Sequence, residues 1–291
     1  MKPLHLAAAL LMIGVWGFNF VVMRWGLDEV PPLTLSVLRF TLAAFPALLV
    51  VPRPAVDWRL LAAYGFFAFT CQFALLFTGL AVGMPTGLAS LVIQIQAFFT
   101  IGLAALLAHE RPKSAQLAGA LLAGSGLVLV AIQLPGGTRL GLALVVLAAL
   151  AWAVANLVVK RIPIDHSAGA RGPLAIIIWA SAFGTVPLLV LALLVDGPAS
   201  MWSTVVHLSA AHWLGIAFQA WPTTLLAFAV WAWLLRRYPA ALVAPLTLLV
   251  PVVGMTSAVL LLGEPLTWWK LAGAALVLGG LALNVRAFRR S

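Results

Sequence analysis

Charged side chains are scarce in this sequence. Asp, Glu, Lys and Arg together make up 8% of the 291 residues, whereas hydrophobic residues make up 64%. A soluble domain usually carries about 25% charged residues. A soluble fold of this size cannot hide so much apolar surface, because most of its exterior must face water. Lipid removes that requirement, so the composition, with a mean hydropathy of +1.12, indicates a protein embedded in a bilayer.

Cysteine and the usual catalytic groupings are also nearly absent. A single cysteine, Cys71, excludes an intramolecular disulfide, and no zinc-ligand spacing is present. His109-Glu110 lacks the second histidine of the zinc-binding His-Glu-x-x-His motif. The alternatives to a transporter are a membrane enzyme acting on lipids and a non-transporting sensor or assembly protein. An enzyme needs an acid–base pair, an activated nucleophile or a metal cluster. The sequence offers none of these, so we predict no enzymatic activity, no metal and no cofactor.

Long apolar stretches dominate what is present. A membrane helix needs about 20 mostly apolar residues. Short links rich in proline and glycine divide the chain into ten such stretches, which predicts an all-α polytopic fold. The predicted spans are 4–23, 32–52, 59–81, 84–108, 115–133, 139–159, 173–195, 212–234, 239–262 and 268–287.

The positive charges lie mainly in alternate links. A net charge of +10 could suggest nucleic acid, but clusters between apolar stretches are typical of membrane topology instead. With a cytoplasmic N-terminus, thirteen Lys and Arg residues fall on the inner face and three, Arg24, Arg139 and Lys270, on the outer face. This positive-inside bias predicts ten spans with both termini in the cytoplasm and no nucleic-acid partner.

The two halves of the sequence resemble each other. Residues 117–120 and 271–274 have the same sequence, Leu-Ala-Gly-Ala, and each follows a glutamate, Glu110 or Glu264, by seven residues. Further matches in the same order pair Trp16 and Asn19 with Trp152 and Asn156, and Pro32 and Pro46 with Pro173 and Pro187. Each half contains an odd number of spans, so the halves cross the membrane in opposite directions. We therefore predict two inverted five-helix repeats, 1–137 and 138–291, around a central cavity, which is a device for alternating access.

Several motifs resemble those of a known family. They include Trp16-Gly-Phe-Asn19-Phe in the first span, Gly-Glu264-Pro before the last, and the stretches 31–40, 83–91, 94–100 and 244–254. Together they resemble the EamA family of the drug/metabolite transporter superfamily, and in particular its bacterial exporters of O-acetylserine and cysteine and, more distantly, of aromatic amino acids. The resemblance covers essentially the whole chain. It implies a multi-pass protein of the bacterial inner membrane that exports amino acids or related small metabolites.

Polar and aromatic side chains inside the spans are the candidate solute contacts, because polar groups are costly in lipid unless they face protein or water. The predicted substrate-binding residues are Asn19, Asn156, Gln72, Gln96, Gln219, Trp16, Trp152, Trp179 and Trp221. Gln94 and Gln96 are two residues apart on a helix and point to different sides, so we prefer Gln96. The alternative for the amides is a helix–helix hydrogen bond, and for the tryptophans the filling of a helix junction.

Three charged positions have a structural alternative that we favour. Arg39, the one full charge within a predicted span, could bind a substrate carboxylate, but holding carbonyl groups at a helix end is the simpler role. Glu110 and Glu264 occupy equivalent helix ends, where capping or bracing a helix is expected. The sequence leaves open whether the chain is a monomer or a homodimer in its lipid surroundings.

Acidic residues are missing from the deep parts of the predicted spans. A membrane carboxylate is the usual proton relay of coupled antiporters. Its absence favours facilitated diffusion, and a proton-coupled drug or metabolite antiporter is the alternative.

Overall fold

The computed structural model describes residues 1–107, 114–134, 136–163, 171–238 and 243–289, and these residues form helices and no strands. The α-helices are α1 (Pro3–Leu27), α2 (Pro32–Ala44), α3 (Trp58–Gly65), α4 (Gln72–Ala81), α5 (Thr86–Val92), α6 (Gln96–Leu107), α7 (Ser114–Gln133), α8 (Gly136–Val159), α9 (Arg171–Val195), α10 (Pro198–His207), α11 (Ala210–Phe218), α12 (Ala227–Arg237), α13 (Leu249–Leu262) and α14 (Trp268–Arg289).

Several helices join end to end into membrane-length rods. Trp58–Ala81 combines α3 with α4, Thr86–Leu107 combines α5 with α6, and Ala210–Leu234 combines α11 with most of α12. Within the described ranges, nine helical segments are long and apolar enough to cross a membrane, and Leu246–Leu262 is a shorter apolar helix. These ten segments coincide with the ten predicted spans and confirm the all-α polytopic fold.

The helices start and stop where their local chemistry predicts. Pro3, Pro32 and Pro198 occupy the first helical positions of α1, α2 and α10, where a missing N–H costs nothing. The carboxylate of Asp57 accepts a hydrogen bond from the Arg59 N–H at the start of α3. Gly263, with φ of 66°, ends α13 in the left-handed conformation that glycine adopts most easily.

Helix contacts repeat between the two halves. The first span, α1, packs on the ninth, α13, and the sixth, α8, packs on the fourth through α6. The second and seventh spans, α2 and α9, pack on each other, as do the fifth and tenth, α7 and α14. Exchanging the halves therefore maps the contact pattern onto itself, as an inverted repeat requires. The exact boundary at residues 137 and 138 stays a prediction.

One π-helical segment interrupts the third span of each half. Phe66–Cys71 lies between α3 and α4, and Gln219–Leu226 lies between α11 and α12 with Pro222 inside it. A wider turn of this kind is rare and often marks a functional site. The sequence analysis did not predict either segment, because a π turn has no simple periodicity signal.

Glycines let the last helices of the two halves approach closely. A Cβ atom added at Gly119 on α7 would lie 2.6 Å from the carbonyl oxygen of Gly280 on α14, and one added at Gly126 would lie 2.9 Å from that of Gly273. Such backbone contact is a usual means of helix association in lipid, where no hydrophobic force drives helices together. Gly124, on the same helix, is exposed and has nothing within 4 Å of its Cβ position.

This contrast predicts opposite effects for two identical substitutions on α7. Gly119→Ala should lower the free energy of unfolding by about 1–3 kcal/mol, because its methyl group overpacks the α7–α14 contact. Gly124→Ala should leave it unchanged or raise it by about 0.5–1 kcal/mol, because alanine favours a helix. Thermal unfolding of the purified variants in detergent measures both, and equal midpoints would contradict the packing described.

Candidate functional site

A buried polar cluster joins α1, α2 and the π segment of the eighth span. The Arg39 guanidinium donates from Nη2 to Oγ1 of Thr224 at 3.1 Å, and Thr224 Oγ1 donates to the main-chain oxygen of Gln219 at 2.9 Å. Thr223 Oγ1 donates to Oδ1 of Asn19 at 3.2 Å. All five residues are buried. We call Asn19, Arg39, Gln219, Thr223 and Thr224 the Arg39 cluster.

Two neighbouring hydroxyls of the π segment bind two different helices. Thr223 faces α1 and Thr224 faces α2, so the eighth span binds both helices at one level. Trp16 on α1 adds a third link, because its indole Nε1 donates to the main-chain oxygen of Thr223 at 3.1 Å.

The Arg39 guanidinium lies beside two aromatic rings. Its carbon atom is 4.3 Å from the ring centre of Phe73 and 5.2 Å from that of Phe40. Aromatic faces attract a cation, with an energy of about 0.5–2 kcal/mol per contact. They do not accept its N–H groups, and Nε and Nη1 have no hydrogen-bond partner among the described residues. A charge at this depth costs at least ~2.5 kcal/mol. Arg39 binds no helix-end carbonyl there, unlike the role favoured from the sequence.

A second polar cluster joins the fourth and sixth spans. Asn156 Nδ2 donates to Oε1 of Gln96 at 2.7 Å and to Oγ1 of Thr100 at 3.2 Å. Thr100 in turn donates to the main-chain oxygen of Gln96. These three side chains, the Asn156 cluster, are half-buried and not fully enclosed. Gln94 points elsewhere, donating to the main-chain oxygen of Thr247 at 3.2 Å.

The other predicted site residues divide between the interior and the region at and beyond the end of α2. Gln72 is buried directly after the first π segment, and Trp152 is partly buried between the two main parts of the core. Trp179 and Trp221 instead donate to main-chain oxygens of Val51 and Leu42, and 45% of Trp221 is exposed. These two tryptophans belong to neither polar cluster.

A cleft of about 200 Å³ opens between α1, α2 and α11 at the face opposite the N-terminus. Its lining is mainly apolar and includes Trp25, Leu35 and His212, with Gln219 as the polar contribution from the π segment. The Gln219 side chain is fully buried, and neither Nε2 nor Oε1 has a partner among the described residues. His212 is 3.4 Å from the carboxylate of Glu29, which marks the mouth of the cleft.

Carboxylates cap helices around the same face. Asp196, directly after α9, accepts hydrogen bonds from the N–H and hydroxyl groups of Thr34 in the first turn of α2. Glu264 accepts from the N–H groups of Thr86 and Gly87 at the start of α5, and Lys270 lies 3.8 Å from it. The expected capping role of Glu264 is confirmed, whereas Glu110 lies outside the described residues. Sequence analysis missed Asp196, which no repeat or motif distinguishes.

The described part of the chain offers no grouping of metal ligands. No group of three His, Cys, Asp or Glu residues there is arranged to hold a metal ion. The polar groups of the two clusters, within the described residues, are amides, hydroxyls and one guanidinium. They can bind a polar solute through hydrogen bonds and charge, and they include no paired acid and base.

Comparison with known proteins gives a consistent result. The model of the EamA-like transporter family matches residues 4–132 and again residues 139–286. Two curated relatives, each described as a probable amino-acid metabolite efflux pump, are from Salmonella typhimurium and Escherichia coli; both are 44% identical over 97% of this chain and 94% of their own. A probable terminal-alkyne amino-acid exporter of Streptantibioticus cattleyicolor is 30% identical over 95% of this chain and 91% of its own.

A solved crystal structure shares the fold. It is 20% identical in sequence and superposes with a TM-score of 0.62, covering 100% of this chain and 99% of its own. This similarity concerns the fold alone. The two family matches, the ten apolar segments and the identity to the curated efflux pumps lead to one conclusion: the chain belongs to the EamA-like transporter family and is a multi-pass membrane transporter.

Proposed function

We propose that this transporter exports amino acids or related small metabolites across the bacterial inner membrane. The observation that carries the proposal is the Arg39 cluster, in which amide, hydroxyl and guanidinium groups meet inside an apolar bundle. Amides and hydroxyls offer both donors and acceptors, as the amine and carboxylate of an amino acid require. The names of the relatives from Salmonella typhimurium, Escherichia coli and Streptantibioticus cattleyicolor support the same substrate class. No enzymatic step belongs to this function.

Alternating access is the mechanism that suits the architecture. The related packing of the two halves gives each face of the membrane a comparable set of helix contacts to open or close. The π segments lie in corresponding spans, beside the buried polar residues. Local rearrangement of a wide turn needs fewer broken hydrogen bonds than bending a regular helix, so these segments are our candidate hinges.

The solute path, in this proposal, runs along both polar clusters. The Arg39 cluster contributes Asn19 and Gln219, and the neighbouring Trp16 joins them. The Asn156 cluster contributes Asn156 and Gln96. Gln72 and Trp152 lie in the interior of the helix bundle. We assign Trp179 and Trp221 a supporting role. The indole of Trp221 binds a main-chain oxygen in the last turn of α2, and that of Trp179 binds one beyond the end of α2.

Orientation and coupling follow from the distribution of charge. The bias of Lys and Arg residues supports cytoplasmic termini, so the cleft and the caps at Thr34 and Thr86 belong to the outer face. The described carboxylates lie at helix ends or in links, which supports facilitated export without a proton relay. In this proposal the chain is active as a monomer or as a homodimer in the lipid bilayer.

Purified protein in sealed proteoliposomes should release preloaded amino acids faster than protein-free vesicles. The panel is cysteine, phenylalanine, leucine and lysine, each labelled, which separates cysteine-like, aromatic, branched and charged side chains. Efflux of none of them, from vesicles that contain correctly folded protein, would refute the proposed substrate class.

Downhill efflux should continue when the proton gradient is abolished. Facilitated diffusion needs no ion to move with the solute. A protonophore should therefore change the initial rate of efflux by less than about twofold, which is a small effect in free energy. Complete loss of efflux under the protonophore would indicate the proton-coupled alternative. A pH step across the same vesicles without solute controls for leak.

Gln96→Ala and Asn156→Ala should each reduce efflux about three- to tenfold, because one hydrogen-bonding group contributes about 0.5–1.5 kcal/mol. Gln133→Ala is the matched control: Gln133 is exposed at the end of α7 and should tolerate the change. Folded protein is monitored by size-exclusion chromatography. Unchanged affinity and rate in both variants would remove the Asn156 cluster from the path.

A further inference from the structure

Arg39 is a buried cation that the described protein does not neutralise. Only 2% of the residue is exposed, and two of its three guanidinium nitrogens, Nε and Nη1, lack any hydrogen-bond partner among the described residues. The third nitrogen binds a neutral hydroxyl, that of Thr224. The neighbouring rings of Phe40 and Phe73 attract the positive charge but leave the N–H groups unused.

The described carboxylates are all engaged elsewhere. Their partners lie at the two membrane faces: Asp28 pairs with Arg24, Glu29 with His212, Asp57 with the start of α3, Asp196 with the start of α2, and Glu264 with the start of α5 and with Lys270. The remaining acidic residues of the sequence, Glu110 and Asp165, lie outside the described residues. Within the described part of the chain, therefore, no anion compensates Arg39.

The charge also breaks the symmetry of the two halves. Pro32 and Pro46 of the second span align with Pro173 and Pro187 of the seventh, and in that register Ala180 takes the place of Arg39. Ala180 is fully buried against the third span. A charge needed only for the shared fold would be expected in both halves, whereas a charge used on a solute is needed once.

The cleft between α1, α2 and α11 leads toward this charge. Leu35, in its wall, lies one helical turn before Arg39, and Gln219 lies one π turn before Thr224. Gln219 brings a second unpartnered group, since both its amide atoms are buried without a partner among the described residues. Thr224 links the two residues, because its hydroxyl accepts a hydrogen bond from Arg39 and donates one to the main-chain oxygen of Gln219.

We infer that Arg39 binds the carboxylate of the exported solute, with the Gln219 amide contacting a neighbouring polar group of the same molecule. An anion is the ligand that a buried guanidinium recognises best, because a charge-assisted hydrogen bond is about twice as strong as a neutral one. This inference rests on the proposed export and adds the chemical group that the transporter recognises: a free carboxylate. Solutes that lack it should be poor substrates.

The test compares an amino acid with its carboxamide, which keeps the shape and removes the negative charge. For whichever of cysteine, phenylalanine, leucine or lysine moves fastest, the wild-type protein should export the acid at least about tenfold faster than the amide, which corresponds to about 1.4 kcal/mol. Arg39→Gln should abolish that preference, and Arg39→Lys should retain part of it because the charge remains. Arg59→Gln, an exposed arginine on α3, is the matched control.

Thermal unfolding distinguishes a role of Arg39 in solute recognition from a role in holding helices together. If Arg39 serves the solute, Arg39→Gln should unfold at the wild-type temperature or above it, because an uncompensated charge is removed, and the amino acid should no longer raise its midpoint. A lowered midpoint with the preference for the acid intact would overturn the inference. Equal export of acid and amide by the wild-type protein would overturn it without any variant.

Failure of the export proposal has a different signature. If the wild-type protein moves none of the amino acids, the substrate class is wrong, and lactate and pyruvate then serve as simple carboxylate probes. A rise of the unfolding midpoint with these anions in wild type, absent in Arg39→Gln, would still support a carboxylate site. No rise with any carboxylate would overturn it.

Discussion

Hydrocarbon offers no hydrogen bonds, and this constraint determines how the chain is organised. Backbone groups are paired within helices, and helix ends are closed by side chains such as those of Asp196 and Glu264, which accept the free N–H groups of α2 and α5. Helices meet through glycine, as at Gly119 and Gly280, because lipid provides little drive to associate otherwise. Polar groups left inside must therefore bind one another or a solute. We propose that the Arg39 and Asn156 clusters are the polar groups that bind the solute.

The two halves share a frame and differ in the side chains that use it. Asn19 and Asn156 occupy matched positions, yet Asn19 accepts from Thr223 of the eighth span, whereas Asn156 donates to Gln96 of the fourth. Symmetric packing permits the two halves to exchange roles during transport. The side chains are not symmetric: Arg39 is present in the first half, and Ala180 takes its place in the second. In our proposal this difference holds one solute in a defined orientation.

Much of the fold could be predicted because a bilayer restricts the choice. Ten apolar stretches, separated by links of proline and glycine, specify the spans directly. The repeat follows from a spacing that both halves share, in which Leu-Ala-Gly-Ala begins seven residues after a glutamate. The site was less predictable. The direction in which Gln94, Gln96 and Gln219 point depends on the rotation of their helices and on the π turns. Neither of these produces a periodic signal in the sequence. The contacts of Arg39 were not predictable either, because among the described residues its guanidinium meets Thr224 and two aromatic rings and not a helix-end carbonyl, and such pairings are tertiary properties.

Alternating access is the central claim, and counterflow measures it most directly. Proteoliposomes are loaded with a high concentration of unlabelled amino acid and diluted into a trace of the same labelled amino acid. A carrier whose site faces one side at a time takes unlabelled amino acid out and returns with labelled amino acid. Alternating access therefore predicts that the label accumulates transiently inside, above its external concentration, even with the proton gradient abolished. Simple equilibration of the label without an overshoot, as a channel would give, would contradict the account.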